Sequence, residues 1–168
     1  MNWRNVTVSG DACFSSSPIT LHKGYALIPN RNGYPKPPGG DGQRYYQLHI
    51  VRLSYGDLKG EPAAAVTFYC SNNGGTGAGR LLMSAAVYSK ARGELHELGL
   101  LKPQLQNERL HANLVIDGRM ARRQVRVVEG VFVTSVSDCC PSGSATTVWT
   151  YTEGRFEPYT TLTTLDPQ

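Results

Sequence analysis

The chain reads as one mostly antiparallel all-β domain, or a β-rich α+β fold with minimal helix, held by disulfide staples across residues 1–168. Three observations point there. Short apolar runs rich in Val, Thr and Tyr recur along the chain and favour pleated, half-buried backbone. The 18 glycines and 10 prolines fall between these runs and punctuate them as turns. The four cysteines are an even set, suited to two bridges in an exported domain.

Taken in order, Asn2 to Thr7 alternates loosely and suits a first strand, with Trp3 and Val6 or Val8 inward. Asn5-Val6-Thr7 also matches a glycosylation sequon. Gly10-Asp11 turns the chain toward Cys13. Ile19 to Ile28 suits one or two short strands broken at Lys23-Gly24. Residues 29–43 read as a flexible loop, because proline lacks an amide proton and glycine is costly to order. Arg44 to Tyr55 is the first strong strand. Leu48 and Ile50 share one face while Val51, Leu53 and Tyr55 share the other, a parity switch that predicts a bulge or a strand covered on both sides.

Gly56 to Pro62 reads as a tight connection, and Ala63 to Cys70 as a strand whose three alanines allow close packing. Asn72 to Gly79 is a glycine-rich loop. Leu81 to Tyr88 and Glu94 to Leu101 form a hairpin with Gly93 in its turn. Lys102 to Leu110 is a connection. Ala112 to Ile116 and Gln124 to Ser135 are strands, with Asp117-Gly118 as the expected hairpin turn and Glu129-Gly130 as a bulge or turn. Thr146 to Tyr151, a turn at Thr152-Glu153-Gly154, and Arg155 to Leu165 complete the chain.

Charge narrows the function classes. The net charge is +4, with 12 arginines against five lysines, and Arg122, Arg123 and Arg126 form the dense basic cluster. Nucleic-acid surfaces carry more excess charge interleaved with aromatics, so no nucleic-acid partner is expected. The sequence has no apolar run of about 18 residues, so no transmembrane segment is expected. No signal peptide is visible, and Met1-Asn2-Trp3 reads as the start of a trimmed mature domain.

Two blocks carry a family resemblance. One is Ser54-Tyr55-Gly56-Asp57-Leu58, Ala64-Ala65-Val66 and Cys70-Ser71-Asn72-Asn73-Gly74-Gly75-Thr76. The other is Cys139-Cys140-Pro141-Ser142-Gly143 followed by Ala145 to Tyr151. Together they resemble a group of uncharacterised secreted or lipid-anchored actinobacterial domains, some attached to envelope Ser/Thr kinases. They are more distantly similar to the mycobacterial LppP/LprE-type lipoproteins. The resemblance runs from about Asp11 to Leu165. It implies a β-rich fold outside the cytoplasmic membrane, secreted or anchored, and no particular activity. In that group the segment after Tyr-Gly-Asp-Leu often reads as a calcium loop. Here Lys59 replaces a ligand oxygen and leaves only Asp57 and Glu61, too few for a cation that takes about six to eight oxygens.

The adjacent cysteines pose a geometric question. Neighbouring side chains on an extended segment point to opposite faces. Cys139 and Cys140 are therefore expected to reach two different partners, Cys13 and Cys70, in either assignment. A vicinal Cys139–Cys140 bridge is the strained alternative. A four-cysteine zinc site is the rival, without the usual Cys-x-x-Cys spacing.

Catalytic signatures are sparse. Ser142 lies in Pro-Ser-Gly rather than a nucleophile elbow. His22, His49, His96 and His111 are scattered, and Asp57, Glu61, Asp117 and Asp138 sit at expected turns without pairing. The glycine-rich run ends Gly79-Arg80-Leu81, without the Lys-Ser/Thr of a phosphate loop. The expectation is thus no catalytic residue, metal or cofactor, and a binding or sensing module at the cell envelope for a ligand or protein partner. A secreted hydrolase or an enzyme inhibitor is the alternative. The expected ligand surface comprises Tyr34, Tyr45, Tyr46, Asn72, Asn73, Trp149 and Tyr151, with Tyr25 nearby, around the loops at residues 30–42 and 72–79.

Overall fold

A computed structural model describes residues 2–29, 45–71, 80–91, 93–107, 109–133 and 141–165. The expectations for Tyr34, Asn72, Asn73, Cys139 and Cys140 concern positions outside those residues. The fold is all-β. Among the described residues the one helical element is a 3-10 turn, Gly10–Ala12.

The strands are β1 (Thr7–Val8), β2 (Ile19–Thr20), β3 (Tyr25–Pro29), β4 (Tyr45–Leu58), β5 (Glu61–Ser71) and β6 (Arg80–Ala91). They continue with β7 (Glu94–Leu101), β8 (Leu110–Ala121), β9 (Gln124–Val133), β10 (Gly143–Thr152) and β11 (Arg155–Leu165). β1 and β2 form a small ribbon. The other nine make one sheet, in the order β11-β10-β9-β8-β6-β5-β4-β3, with β7 also on β6. Among the described residues all pairings are antiparallel except one parallel bridge, Met83 to Leu114, where β8 meets β6.

Two-residue turns set the register. Lys23-Gly24, Lys59-Gly60 and Glu153-Gly154 each have both residues at positive φ, between 52° and 90°. That is the turn twist that matches paired strands. The connection after Asp57 is therefore narrower than the sequence suggested, because β4 and β5 pair right up to Leu58 and Glu61. The parity switch in β4 is a bulge. Ile50 faces Phe68 and Arg52 faces Thr67, which leaves Val51 as the extra residue.

β5 and β6 are the centre of the molecule. Ala63 to Phe68 and Ser84 to Tyr88 are buried without interruption. A strand covered on both faces reads as a continuous apolar run. On one face Val66, Phe68, Ala86 and Tyr88 pack under the amino-terminal segment with Val6, Val8, Ile19 and Leu21, forming the outer core. On the other, Ala63, Ala65, Ala85 and Val87 meet Val115, Val125, Val127 and Trp149, forming the inner core. The sheet curls to close this inner core, and Gly99 of β7 comes against the Phe156 ring of β11.

The expectations for the Asp117-Gly118 turn and for the cysteine pairing are overturned. Asp117-Gly118 is not a turn but lies within β8, which crosses β4 and β5. A Cβ on Gly118 would come within 3.3 Å of Thr67 Oγ1 and 3.5 Å of Ala85 Cβ, so this glycine serves close approach. Asp117 ties the crossing strand to β4 through Arg52 (3.1 Å) and also pairs with Arg119 of its own strand (2.8 Å). The turn falls instead at Arg122-Arg123, with Arg122 at φ 55°. The second concerns the cysteines. Cys13 and Cys70 are bonded to each other, so neither is the partner of Cys139 or Cys140. The 3-10 turn sets Cys13 over the end of β5, and the Cα atoms stand 5.4 Å apart.

Candidate ligand-binding surface

The end of β3, the start of β4, the end of β5 and the start of β6 lie together. The register pairs Pro29 with Tyr45, Gln47 with Ser71, and Ser71 with Arg80. The chain ends that bracket residues 30–44 and 72–79 therefore share one edge of the sheet. Strand alternation there sends Tyr46, Leu48 and Ile50 into the outer core. Tyr45, Gln47 and His49 turn the other way.

That outward face carries a ladder across three strands. Tyr25 of β3 stands opposite His49 of β4, which stands opposite Tyr69 of β5. The ring centroids are 4.8 Å apart between Tyr25 and His49, and 6.4 Å between His49 and Tyr69. His49 Nε2 meets Gln47 Oε1 at 3.2 Å. Partial burial among these rings lowers the His49 pKa from its ordinary value, so the ring is neutral at neutral pH. Leu27 is 54% exposed and Tyr45 is 48% exposed, and they extend the shelf toward the two bracketed segments.

The sequence-derived set divides between two ends of the molecule. Tyr45 belongs to the shelf. Tyr46 does not, being buried in the outer core. Trp149 is also buried, in the inner core. Tyr151 packs on Phe156 at 4.9 Å, with Lys59 Nζ 5.6 Å from its ring centre. Lys59 sits at the far end of the 14-residue β4, roughly 40 Å of extended chain from Tyr45. Trp149 and Tyr151 thus take no part in a surface around Tyr45. His49 and Tyr69 were missed, although their alternation with Leu48 and Cys70 marked them as outward.

Near Tyr151, the β4–β5 and β8–β9 turns flank a cleft of about 860 Å³ lined by Asp57, Lys59, Arg122, Arg123, Gln124 and Thr150. Its charged side chains are all exposed. Arg126 lies on the exposed side of β9, a solvated strand position.

Two acids carry structural duties that the sequence did not disclose. Glu129 is fully buried, and its Oε2 accepts the backbone amides of Gln104 (3.0 Å) and Leu105 (3.5 Å). It pins the β7–β8 connection. Glu97 accepts the Ser9 amide at 2.8 Å beneath the amino-terminal segment. Burial raises its pKa, while the Ser9 amide pulls the other way. Tyr88 beside it donates to Thr7 O at 2.9 Å, and its pKa is raised by burial and then by the Glu97 charge.

The four histidines are not gathered. His22 bridges to Tyr25, His49 lies on β4, His96 on β7, and His111 stacks on Phe132 at 5.7 Å. Among the described residues no group of three or more His, Cys, Asp or Glu side chains comes together. Among them, too, no helix is long and apolar enough to cross a membrane. Comparison with family models, curated proteins and solved structures finds no match to this chain.

Proposed function

We propose that the protein is a binding module of the cell envelope or its exterior, and that its ligand is an envelope glycan seated on the Tyr25–His49–Tyr69 shelf. The ladder carries this reading. Three rings stand side by side on a sheet face, with exposed Leu27 and Tyr45 beside them. Aromatic rings offer broad apolar contact at low conformational cost, and Tyr hydroxyls and Gln47 supply polar tips around it. A sugar has the same division, with C–H faces for the rings and hydroxyls for the rim.

The Cys13–Cys70 bridge supports a place outside the cytoplasm, because such bonds persist in oxidising compartments. The resemblance to secreted or lipid-anchored actinobacterial domains points the same way. The test is co-sedimentation with purified cell-wall material. Wild-type protein is expected in the pellet, and a Tyr25→Ala/Tyr69→Ala variant in the supernatant with its thermal midpoint little changed. Equal sedimentation of the two proteins, or none by either, refutes the proposal.

A further inference from the structure

A second cleft, of about 430 Å³, opens on the outer side of the sheet beside the amino-terminal turn. Small-molecule pockets span roughly 300–1,000 Å³ and are mostly apolar with a few placed polar groups. Phe14, Leu100, Pro103 and Ala112 supply the apolar lining. Ser84 supplies the polar group. It is buried, and its Oγ has no hydrogen-bond partner among the described residues. Buried hydroxyls are ordinarily paired, so an unpaired one in a cavity wall invites a partner from the cavity.

Phe14 is held in an unusual way. Its φ is 51°, a left-handed conformation that costs a bulky side chain energy and persists only where the surroundings impose it. The surroundings do so. Cys13 is bonded to Cys70, and Ser15 N donates to Gly10 O at 3.0 Å. The result is a half-exposed aromatic ring fixed at the cleft, 5.8 Å from Tyr46. At the rim Lys102 Nζ is already paired with Asp11 Oδ2 at 2.8 Å, so the mouth presents a balanced pair rather than a free charge.

We propose that this cleft binds a small neutral molecule with a ring-sized apolar body and one hydrogen-bonding group that pairs with Ser84 Oγ. Neutrality follows from the lining, whose two charged groups, Lys102 and Asp11, already pair with each other, so that a charge brought to Ser84 would meet a hydroxyl and no unpaired counter-charge. The site is independent of the aromatic shelf.

The probe is 2-naphthol, titrated into ¹⁵N-labelled full chain with amide shifts as readout, and 2-naphthalenesulfonate is its charged counterpart. Saturable shifts are expected at Phe14, Ser84 and Leu100 with 2-naphthol, and weaker ones with the sulfonate. Ser84→Ala should weaken 2-naphthol binding about three- to tenfold, the worth of one hydrogen bond, without lowering the thermal midpoint. Ala112→Leu fills the cleft and should abolish binding, whereas Tyr69→Ala should leave it intact. No saturable shift at those amides, wild-type affinity in Ser84→Ala, or preference for the sulfonate overturns the proposal.

Discussion

Replacing Cys13 and Cys70 together by alanine cuts the link between the amino-terminal turn and the end of β5. The two residues are 57 positions apart and fully buried. Closing a loop of that length restricts the unfolded chain by ~4 kcal/mol in the chain-entropy treatment, and measured bridges contribute about 2–4 kcal/mol. The lost sulfurs also leave small voids in the outer core. Against a typical domain stability of about 5–15 kcal/mol, this is a large fraction. Urea unfolding followed by tryptophan fluorescence reads it directly. The midpoint should fall and the slope should steepen, because the uncrosslinked unfolded chain exposes more surface. Peptide mapping without reductant should join the Cys13 peptide to the Cys70 peptide. An unchanged midpoint, or a mapped bridge from either residue to Cys139 or Cys140, refutes the reasoning.

Two further substitutions probe half-buried Glu97 and fully buried Glu129. The Glu97 pKa is raised in the folded state, so the folded chain holds its proton more tightly, and stability declines as pH rises from the ordinary glutamate value through the raised one. Glu97→Gln keeps an acceptor for Ser9 and should match wild type below that window and exceed it above, as read by thermal midpoints across pH; a variant no more stable than wild type at neutral pH contradicts this. Glu129→Ala strands the Gln104 and Leu105 amides and should cost about 1–3 kcal/mol in urea, with faster hydrogen exchange confined to residues 102–107; unchanged exchange there would show that Glu129 does not hold the connection.

The local features were legible because local chemistry determines them. The bulge at Val51 was written in the parity of Leu48, Ile50 and Leu53, and the turn at Glu153-Gly154 in its glycine. The errors involve contacts distant in sequence. Asp117-Gly118 has the composition of a turn, but the crossing of β8 over Thr67 and Ala85 cannot be read from neighbours along the chain. The expected irregularity at Glu129-Gly130 shows the same limit. β9 pairs continuously with β10 there, and the extra residues lie on the opposing β8, between Ala112 and Leu114 and between Val115 and Asp117. Strand alternation tells which way a cysteine points but not which strand end comes near it, so it led to the wrong partners for Cys13 and Cys70. Tyr45 and the strand ends that flank the two long loops share one edge of the sheet, as their register shows. The separation of Trp149 and Tyr151 from them required the length of β4 and the curl of the sheet.

The small residues of β5 and β6 leave no room for a ligand at the centre of the sheet. Alanines at positions 63–65, 85 and 86 let the amino-terminal layer and the β8–β10 layer approach this pair from opposite sides. Both faces of the central strands are consumed by packing, and any ligand there would have to displace core. Beyond the β8 crossing, on the face of β3 to β5 that continues the inner core, the side chains change from buried Ala65 and Thr67 to half-buried Tyr69 and His49 and exposed Tyr25. The change from small to aromatic coincides with a fall in burial. Aromatic area left partly exposed confers less folding stability than fully buried area. Its concentration at this edge is what a stacking surface requires, and it is why the proposed glycan is assigned to the shelf rather than to the charged cleft at the opposite end of β4.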